Sequence, residues 1–270
     1  MTLKEFFNNH PKVALAFSGG VDSAYLLYAA LEAGADVRAY FVKSQFQPEF
    51  ELVDARRLVN ELSERFGRGT DLSAEGETGF LKILPVDVLA DAAVASNPAD
   101  RCYYCKQRIF GRILDAAEAD GYKVILDGTN ASDEEGDRPG MRALREMEVK
   151  SPMRLCGLTK DEIRRLSRDA GLFTWDKPSY ACLATRIPTG QPITAEDLQR
   201  VEKAEALLES MGFRDFRVRV LFPAGPDRTR PAARLQLKPE QMRKAMECRS
   251  EITEKLKPLF QEILLDMETR

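Results

Sequence analysis

A short run of glycine, serine and aspartate, "SGGVDS" at residues 18–23, follows the apolar stretch "KVALAF" and precedes a long apolar run. A strand that turns sharply into a helix leaves backbone N–H groups aimed at open space. The helix dipole favours an anion there. Gly19 and Gly20 let a ligand approach that backbone closely, and Ser18 and Ser23 add hydroxyl donors. The pattern is a phosphate cradle without the lysine of a Walker loop, which needs G-x-x-x-x-G-K-[ST]. A carboxylate repels phosphate directly, so Asp22 is expected to hold Mg²⁺ or to fix the turn. The plainer reading is a strand-to-helix turn with a serine cap.

Sulfur is the second candidate chemistry. "RCYYC" spaces Cys102 and Cys105 three apart, on one side of a helix. Cys182 lies in "KPSYACLATRIPTG", which its prolines keep irregular. Cys156 and Cys248 stand alone. Three thiolates could bind zinc, but a structural zinc site wants a fourth ligand, and the one histidine, His10, sits ahead of the first strand. Three cysteines can also hold an iron–sulfur cubane with one iron left open. A Cys102–Cys105 disulfide is a further option. So is the plain case of five small buried residues. Arg101 and Arg186 flank these cysteines and would lower a thiol's proton affinity, unless they are solvated surface arginines.

The elements that must position these residues alternate. Strands are expected at "KVALAF", "DVRAYFVKS", "FLKILPVD" and "YKVILDGTN". Helices are expected after the glycines to about Glu32, over "PEFELVDARRLVNELSERFG", over "PADRCYYCKQRIFGRILDAAEADG" and over "RPGMRALREM". "LTKDEIRRLSRDAG" is a further helix, with Thr159 as N-cap and Glu162 three residues on. The polar stretch "RGTDLSAEGETG" reads as a connection. Such alternation predicts an α/β fold, a doubly wound parallel sheet covered on both faces. Ligands in such folds sit beyond the carboxyl ends of the strands. Residues 16–23 (Ala16, Phe17, Ser18, Gly19, Gly20, Val21, Asp22 and Ser23) should therefore line one crevice with Ser44, Gly128, Thr129 and Asn130.

The tail changes character. Thr194 and Asp197 resemble a capping box opening a helix to about Met211. "FRVRVLF" alternates, with Phe216, Val218 and Val220 on one face and Arg217 and Arg219 on the other. "ARLQL" repeats that alternation, and a helical stretch interrupted at Pro258 is expected to run to the end. The expected division is an α/β domain with the phosphate cradle over 1–185 and a smaller C-terminal α+β domain over 186–270, expected to bind substrate or to join subunits into a homo-oligomer. Arg217 and Arg219 could grip a substrate phosphate in the fork geometry arginine favours, or simply face solvent.

Composition narrows the function classes. The 270 residues carry a net charge of −3, so no broad basic field argues for nucleic acid. No apolar run approaches the length that spans a bilayer, and "MTLKEFFNNHPK" lacks the apolar core of a signal peptide. Five cysteines, an odd number in a chain this long, favour a reducing, cytoplasmic setting and cysteines used for chemistry or metal.

"SGGVDS" preceded by "ALAF" resembles the PP-loop of the adenine-nucleotide α-hydrolases. The ordered set "SGGVDS", "RCYYCK", "DGTNASD", "DRPGMRALRE", "SPM", "LTKDEIR" and "WDKPSYACLATRIPTG" resembles the LarE family over about residues 10–220. The resemblance implies a PP-loop fold that binds ATP and Mg²⁺ and releases pyrophosphate. It implies adenylation of a carboxylate of pyridinium-3,5-biscarboxylic acid mononucleotide and its conversion to a thiocarboxylate for the nickel-pincer nucleotide. It further implies Cys182 as sulfur donor, or Cys102, Cys105 and Cys182 as ligands of a [4Fe–4S] cluster that carries the sulfide. Asp22, Cys182 and Arg186 are then the expected catalytic residues, and Arg101, Arg186, Arg217 and Arg219 the expected substrate ligands. The chain departs from the family pattern at Gln236, where an acid is common, and in the longer "LFPAGPDRTRPAARLQL". Rival readings are a tRNA-thiolating enzyme, an amide-forming synthetase that leaves Cys182 idle, and a nucleotide-sensing or zinc-stabilised module without turnover.

Overall fold

The computed structural model describes residues 1–68, 80–133, 139–223 and 231–269. Most of the expected polar connection, and the loop at 224–230, lie outside the described residues. The chain forms two compact units: Met1–Val88 with Asp100–Lys177, and Leu89–Ala99 with Pro178–Arg270.

In the first unit, helix α1 (Leu3–Asn9) leads into strand β1 (Lys12–Ala16). There follow α2 (Val21–Glu32), β2 (Asp36–Lys43), α3 (Glu49–Arg65) and β3 (Leu81–Pro85). The short α4 (Ala92–Ala95) belongs to the second unit. The first unit resumes with α5 (Arg101–Ala119), β4 (Ile125–Leu126), α6 (Pro139–Glu146), α7 (Pro152–Leu155) and α8 (Lys160–Asp169). The strands pair in parallel in the order β3-β2-β1-β4. The expected α/β fold with a parallel sheet is the fold observed. Strand alternation explains the two cores. Val13 and Leu15 of β1, with Val37, Ala39 and Phe41 of β2, face one apolar cluster, which also takes Leu27 of α2 and Leu58 of α3. Ala14, Tyr40 and Val42 face the other, with Phe110, Ile113 and Ala117 of α5. Each such Leu or Phe contributes about 1.5–3 kcal/mol by leaving water.

The chain winds outward from β1 to β2 and β3, then returns to place β4 on β1's other side. That reversal opens a crevice at the carboxyl ends of β1 and β4. The helix α8 starts as its sequence predicts: Thr159 accepts from the Glu162 N–H while the Glu162 carboxylate accepts from the Thr159 N–H.

The second unit holds α9 (Ala195–Ser210), β5 (Arg217–Leu221), β6 (Ala232–Gln236), α10 (Pro239–Glu247), α11 (Arg249–Leu256) and β7 (Glu262–Leu265). Its sheet runs β5-β6-β7, antiparallel then parallel. Val218, Val220, Ala233 and Leu235 are buried, as the alternation predicts. Two expectations need correction. The end of the chain is not helical past Pro258: "EILL" forms β7, because its three-residue apolar run fits a strand as well as a helix and β6 offers an open edge. At α9 the Thr194 cap forms, but the reciprocal arm does not. The Asp197 carboxylate accepts instead from the Thr194 hydroxyl and from Arg200. No helix among the described residues is long and apolar enough to cross a membrane.

Candidate functional site

The glycine loop turns from β1 into α2 through Gly19, whose φ of +72° is the left-handed region that glycine tolerates. A Cβ there would also meet the Glu51 carbonyl oxygen of α3 at 3.2 Å. Gly20 is the N-cap of α2, and no side chain caps that helix. Its first-turn N–H groups and its dipole therefore face the crevice without a built-in acceptor. The two serines close on the loop itself. The Ser23 hydroxyl donates to the Gly20 carbonyl at 3.2 Å and accepts from the Ser18 N–H at 3.3 Å.

The loop after β4 meets the same place. A Cβ on Gly128 would lie 3.2 Å from the Ser23 nitrogen and 3.3 Å from the Asp22 Cβ, so only glycine lets the two loops approach this closely. The Asn130 amide donates to Asp22 Oδ1 at 3.2 Å, and Lys160 Nζ meets Asp22 Oδ2 at 2.5 Å. Asp127 accepts from the Thr129 hydroxyl at 2.5 Å and the Ser151 hydroxyl at 2.7 Å. Ser44 donates to Gln47 at 2.6 Å at the end of β2.

A cavity of about 370 Å³ opens between these loops. Of the residues expected in the crevice, Ala16, Phe17, Ser18, Asp22, Ser23, Gly128 and Thr129 line it, while Gly19, Gly20, Val21, Ser44 and Asn130 are not among its lining residues. Tyr40, Gln47, Asp127, Asp133 and Lys106 line it too, beyond the residues the sequence points to. Lys106 was legible as part of "RCYYCK", but its role was not. Its far wall is α5, through Lys106, Ile109, Phe110 and Ile113. Burial pushes the Lys106 ammonium below its usual range, against the opposing pull of Asp127, Cys102, Asp133 and Cys105.

The first turn of α5 carries Cys102 and Cys105, neither of them in a disulfide. Arg101 is buried, not solvated, and its guanidinium points at the Cys102 sulfur from 3.8 Å. Cys182, which is in no disulfide, belongs to the second unit, just ahead of a 3₁₀ turn at Leu183–Arg186. Arg186 is not a surface arginine either: it is 1% exposed. It donates to both Glu205 oxygens at 2.8 and 3.0 Å, to the Ala181 carbonyl at 2.7 Å and to the Thr185 hydroxyl at 2.9 Å. These bonds hold the chain on either side of Cys182. Burial alone would lower the Arg186 proton affinity, but Glu205, Tyr180 and Cys182 raise it above the ordinary value.

Arg217 and Arg219 share the half-buried face of β5, opposite the buried valines. Arg219 donates to the Gln236 side chain and, at 2.7 Å, to the Thr185 carbonyl. Gln236 in turn donates to Asp266 at 2.9 Å. Cys156 packs beside the first unit's core, and burial raises its thiol. The Cys248 thiol donates to the Lys244 carbonyl at 2.9 Å. No group of three or more His, Cys, Asp or Glu side chains is gathered as a metal site among the described residues.

Comparison with known proteins places this geometry. No family model matches the chain. It is 32% identical over 220 residues to the pyridinium-3,5-bisthiocarboxylic acid mononucleotide synthase of Lactiplantibacillus plantarum, covering 81% of this chain and 74% of that protein. It is 32% identical over 240 residues to the uncharacterized protein slr1717 of Synechocystis sp., covering 89% of this chain and 81% of that protein. A tRNA-specific 2-thiouridylase of Fervidobacterium nodosum is similar at 27% identity over 60% of this chain and 52% of its own length.

Proposed function

The chain belongs to the LarE family, ATP-using sulfur transferases of the PP-loop class. On that premise we propose that it adenylates a carboxylate of pyridinium-3,5-biscarboxylic acid mononucleotide and converts it to a thiocarboxylate. The observation that carries this reading is the double use of α5. One stretch of the helix walls the cavity under the glycine loop, and its first turn bears Cys102 and Cys105. Nucleotide and sulfur chemistry thus share one rigid element.

In the first step a carboxylate oxygen of the substrate attacks the α-phosphorus of ATP. The bond to the bridging oxygen breaks, and its electron pair leaves with pyrophosphate. The first-turn N–H groups of α2, from Val21 on, are the chain's donors for that departing charge. Asp22 fits a Mg²⁺ ligand: its carboxylate borders the cavity, and magnesium is commonly held by one or two carboxylates with substrate phosphates. When bound, the ion supplies charge neutralisation at the phosphates. In the second step a sulfur nucleophile attacks the acyl carbon and AMP leaves. Arg101 holds its guanidinium 3.8 Å from the Cys102 sulfur. Arg186 fixes the backbone around Cys182.

The donor set fits an iron–sulfur cluster in its chemistry: three cysteines outside any disulfide, two of them at i and i+3 of α5. Cys102, Cys105 and Cys182 would hold a [4Fe–4S] cluster, which supplies an exchangeable sulfide when bound. The other source of sulfur is Cys182 itself, which loses its Cβ–Sγ bond and its α-proton to become dehydroalanine. Arg217 and Arg219 are the proposed ligands of the substrate phosphate, in a second unit that also serves a homo-oligomer. The test is anaerobic purification with iron and sulfide analysis. Brown protein whose colour and sulfur transfer both vanish in each of Cys102→Ser, Cys105→Ser and Cys182→Ser supports the cluster. Colourless protein with Cys182 turned to dehydroalanine after one turnover rejects the cluster and keeps the sulfur transfer.

A further inference from the structure

The glycine loop contains no lysine, yet two lysines reach it from far along the chain. Lys160 Nζ lies 2.5 Å from Asp22 Oδ2, across 138 residues. Lys177 Nζ lies 3.4 Å from the Gly19 carbonyl oxygen, across 158 residues, and 2.7 Å from Asp54. Neither arrives by chance of a long flexible side chain. The backbone of Lys160 is the first residue of α8, fixed by the Thr159 cap, and its N–H donates to Ser132 at 2.9 Å. The carbonyl of Lys177 accepts from Arg164 at 2.8 Å, and its ammonium also lies over the Phe50 ring, 5.3 Å from the centroid. Both lysine side chains are largely shielded from water, at 27% and 15% exposure.

Two cations pinned to the rim of an anion cradle have an electrostatic task. Asp22 stands where a polyanion would enter, and unpaired it would repel one. Lys160 neutralises it. We propose that Lys160 and Lys177 are the phosphate-binding lysines of this loop, delivered in space rather than in sequence, and that they contact the pyrophosphate portion of ATP. The inference rests on the reading of the loop as a pyrophosphate cradle and adds residues to it. When the α-phosphorus bond breaks, the electron pair and its negative charge move onto pyrophosphate, beside the two ammonium groups. AMP, which keeps only the α-phosphate, lies outside their reach.

That difference makes the test. ATP, inorganic pyrophosphate and AMP are titrated into the full chain with MgCl₂ by calorimetry, for wild type, Lys160→Met and Lys177→Met. Thermal unfolding is followed in parallel. Each variant should weaken ATP and pyrophosphate roughly ten- to a hundredfold, the loss of one charge-assisted hydrogen bond. AMP affinity and the melting temperature should hold. Lys160→Gln and Lys177→Gln serve where a Met variant does not fold. Unchanged pyrophosphate binding in variants of a nucleotide-binding wild type overturns the lysine assignment and leaves the cradle standing. Equal weakening of all three ligands makes the lysines structural and also overturns it. A wild-type chain that binds neither ATP nor pyrophosphate overturns the cradle itself, and the lysines with it.

Discussion

Replacing Glu205 by Ala tests whether Arg186 is a scaffold for Cys182. Glu205 accepts from Arg186 through both oxygens, from the Val218 N–H at 2.9 Å and from the Tyr180 hydroxyl at 2.5 Å. The variant leaves a guanidinium that is 1% exposed without its carboxylate. Breaking a buried pair from one side costs about 3–5 kcal/mol. The orphaned Val218 N–H raises that by about 1 kcal/mol more. A loss of this size is a large part of the roughly 5–15 kcal/mol that holds a domain folded. Chemical denaturation should show it, and the Cys182 thiol should react faster with a labelling reagent. Sulfur transfer should fall while ATP and pyrophosphate still bind, because the glycine loop belongs to the other unit. Replacing the pair together, Arg186→Met with Glu205→Leu, should recover most of the stability, since no buried charge then lacks a partner. A single variant that costs under about 1 kcal/mol, or a double variant as unstable as the single one, refutes the reasoning.

Other outcomes follow from the same geometry. Asp22→Ala should abolish AMP formation without unfolding the chain, checked by pyrophosphate release and circular dichroism. Gly19→Ala should destabilise the first unit by about 1–2 kcal/mol from the left-handed backbone alone, read by denaturation, with ATP binding lost because α3 blocks the shift. Burial would raise the Asp120 carboxyl, but the bond from Tyr40, then Lys82 and Arg38, hold it below the usual range. A depressed carboxylate stabilises above its unfolded pKa of about 3.9 and loses that contribution as pH falls through the folded value. Asp120→Asn should therefore lower the melting temperature at neutral pH and flatten its fall in acid. Arg217→Ala with Arg219→Ala should weaken the mononucleotide far more than ATP in equilibrium binding.

Much of the first unit was legible because its signals are local. The short apolar strands, the Thr159–Glu162 cap and the Gly19 turn each reside within a few residues, and each formed. What the sequence hid is long-range. Nothing near Lys160 or Lys177 points to residues 138 and 158 positions earlier. Asn97 shows the same limit. Its side chain donates to the Pro188 and Gln191 carbonyls, which ties residues 89–99 to a unit that otherwise begins at Pro178. Arg186 read as a flanking cation, since only the fold supplies Glu205 from α9. The strand at Glu262–Leu265 escapes the sequence because an apolar run of three has no resolvable period.

The most direct measurement follows one turnover under anaerobic conditions, with ATP, MgCl₂ and pyridinium-3,5-biscarboxylic acid mononucleotide. The products are resolved by mass spectrometry and nucleotide chromatography. The account predicts a mononucleotide in which one carboxylate oxygen is exchanged for sulfur, with AMP and pyrophosphate formed in equal amounts. Release of ADP and phosphate, or AMP formed while the carboxylate is returned unchanged or as an amide, would contradict it.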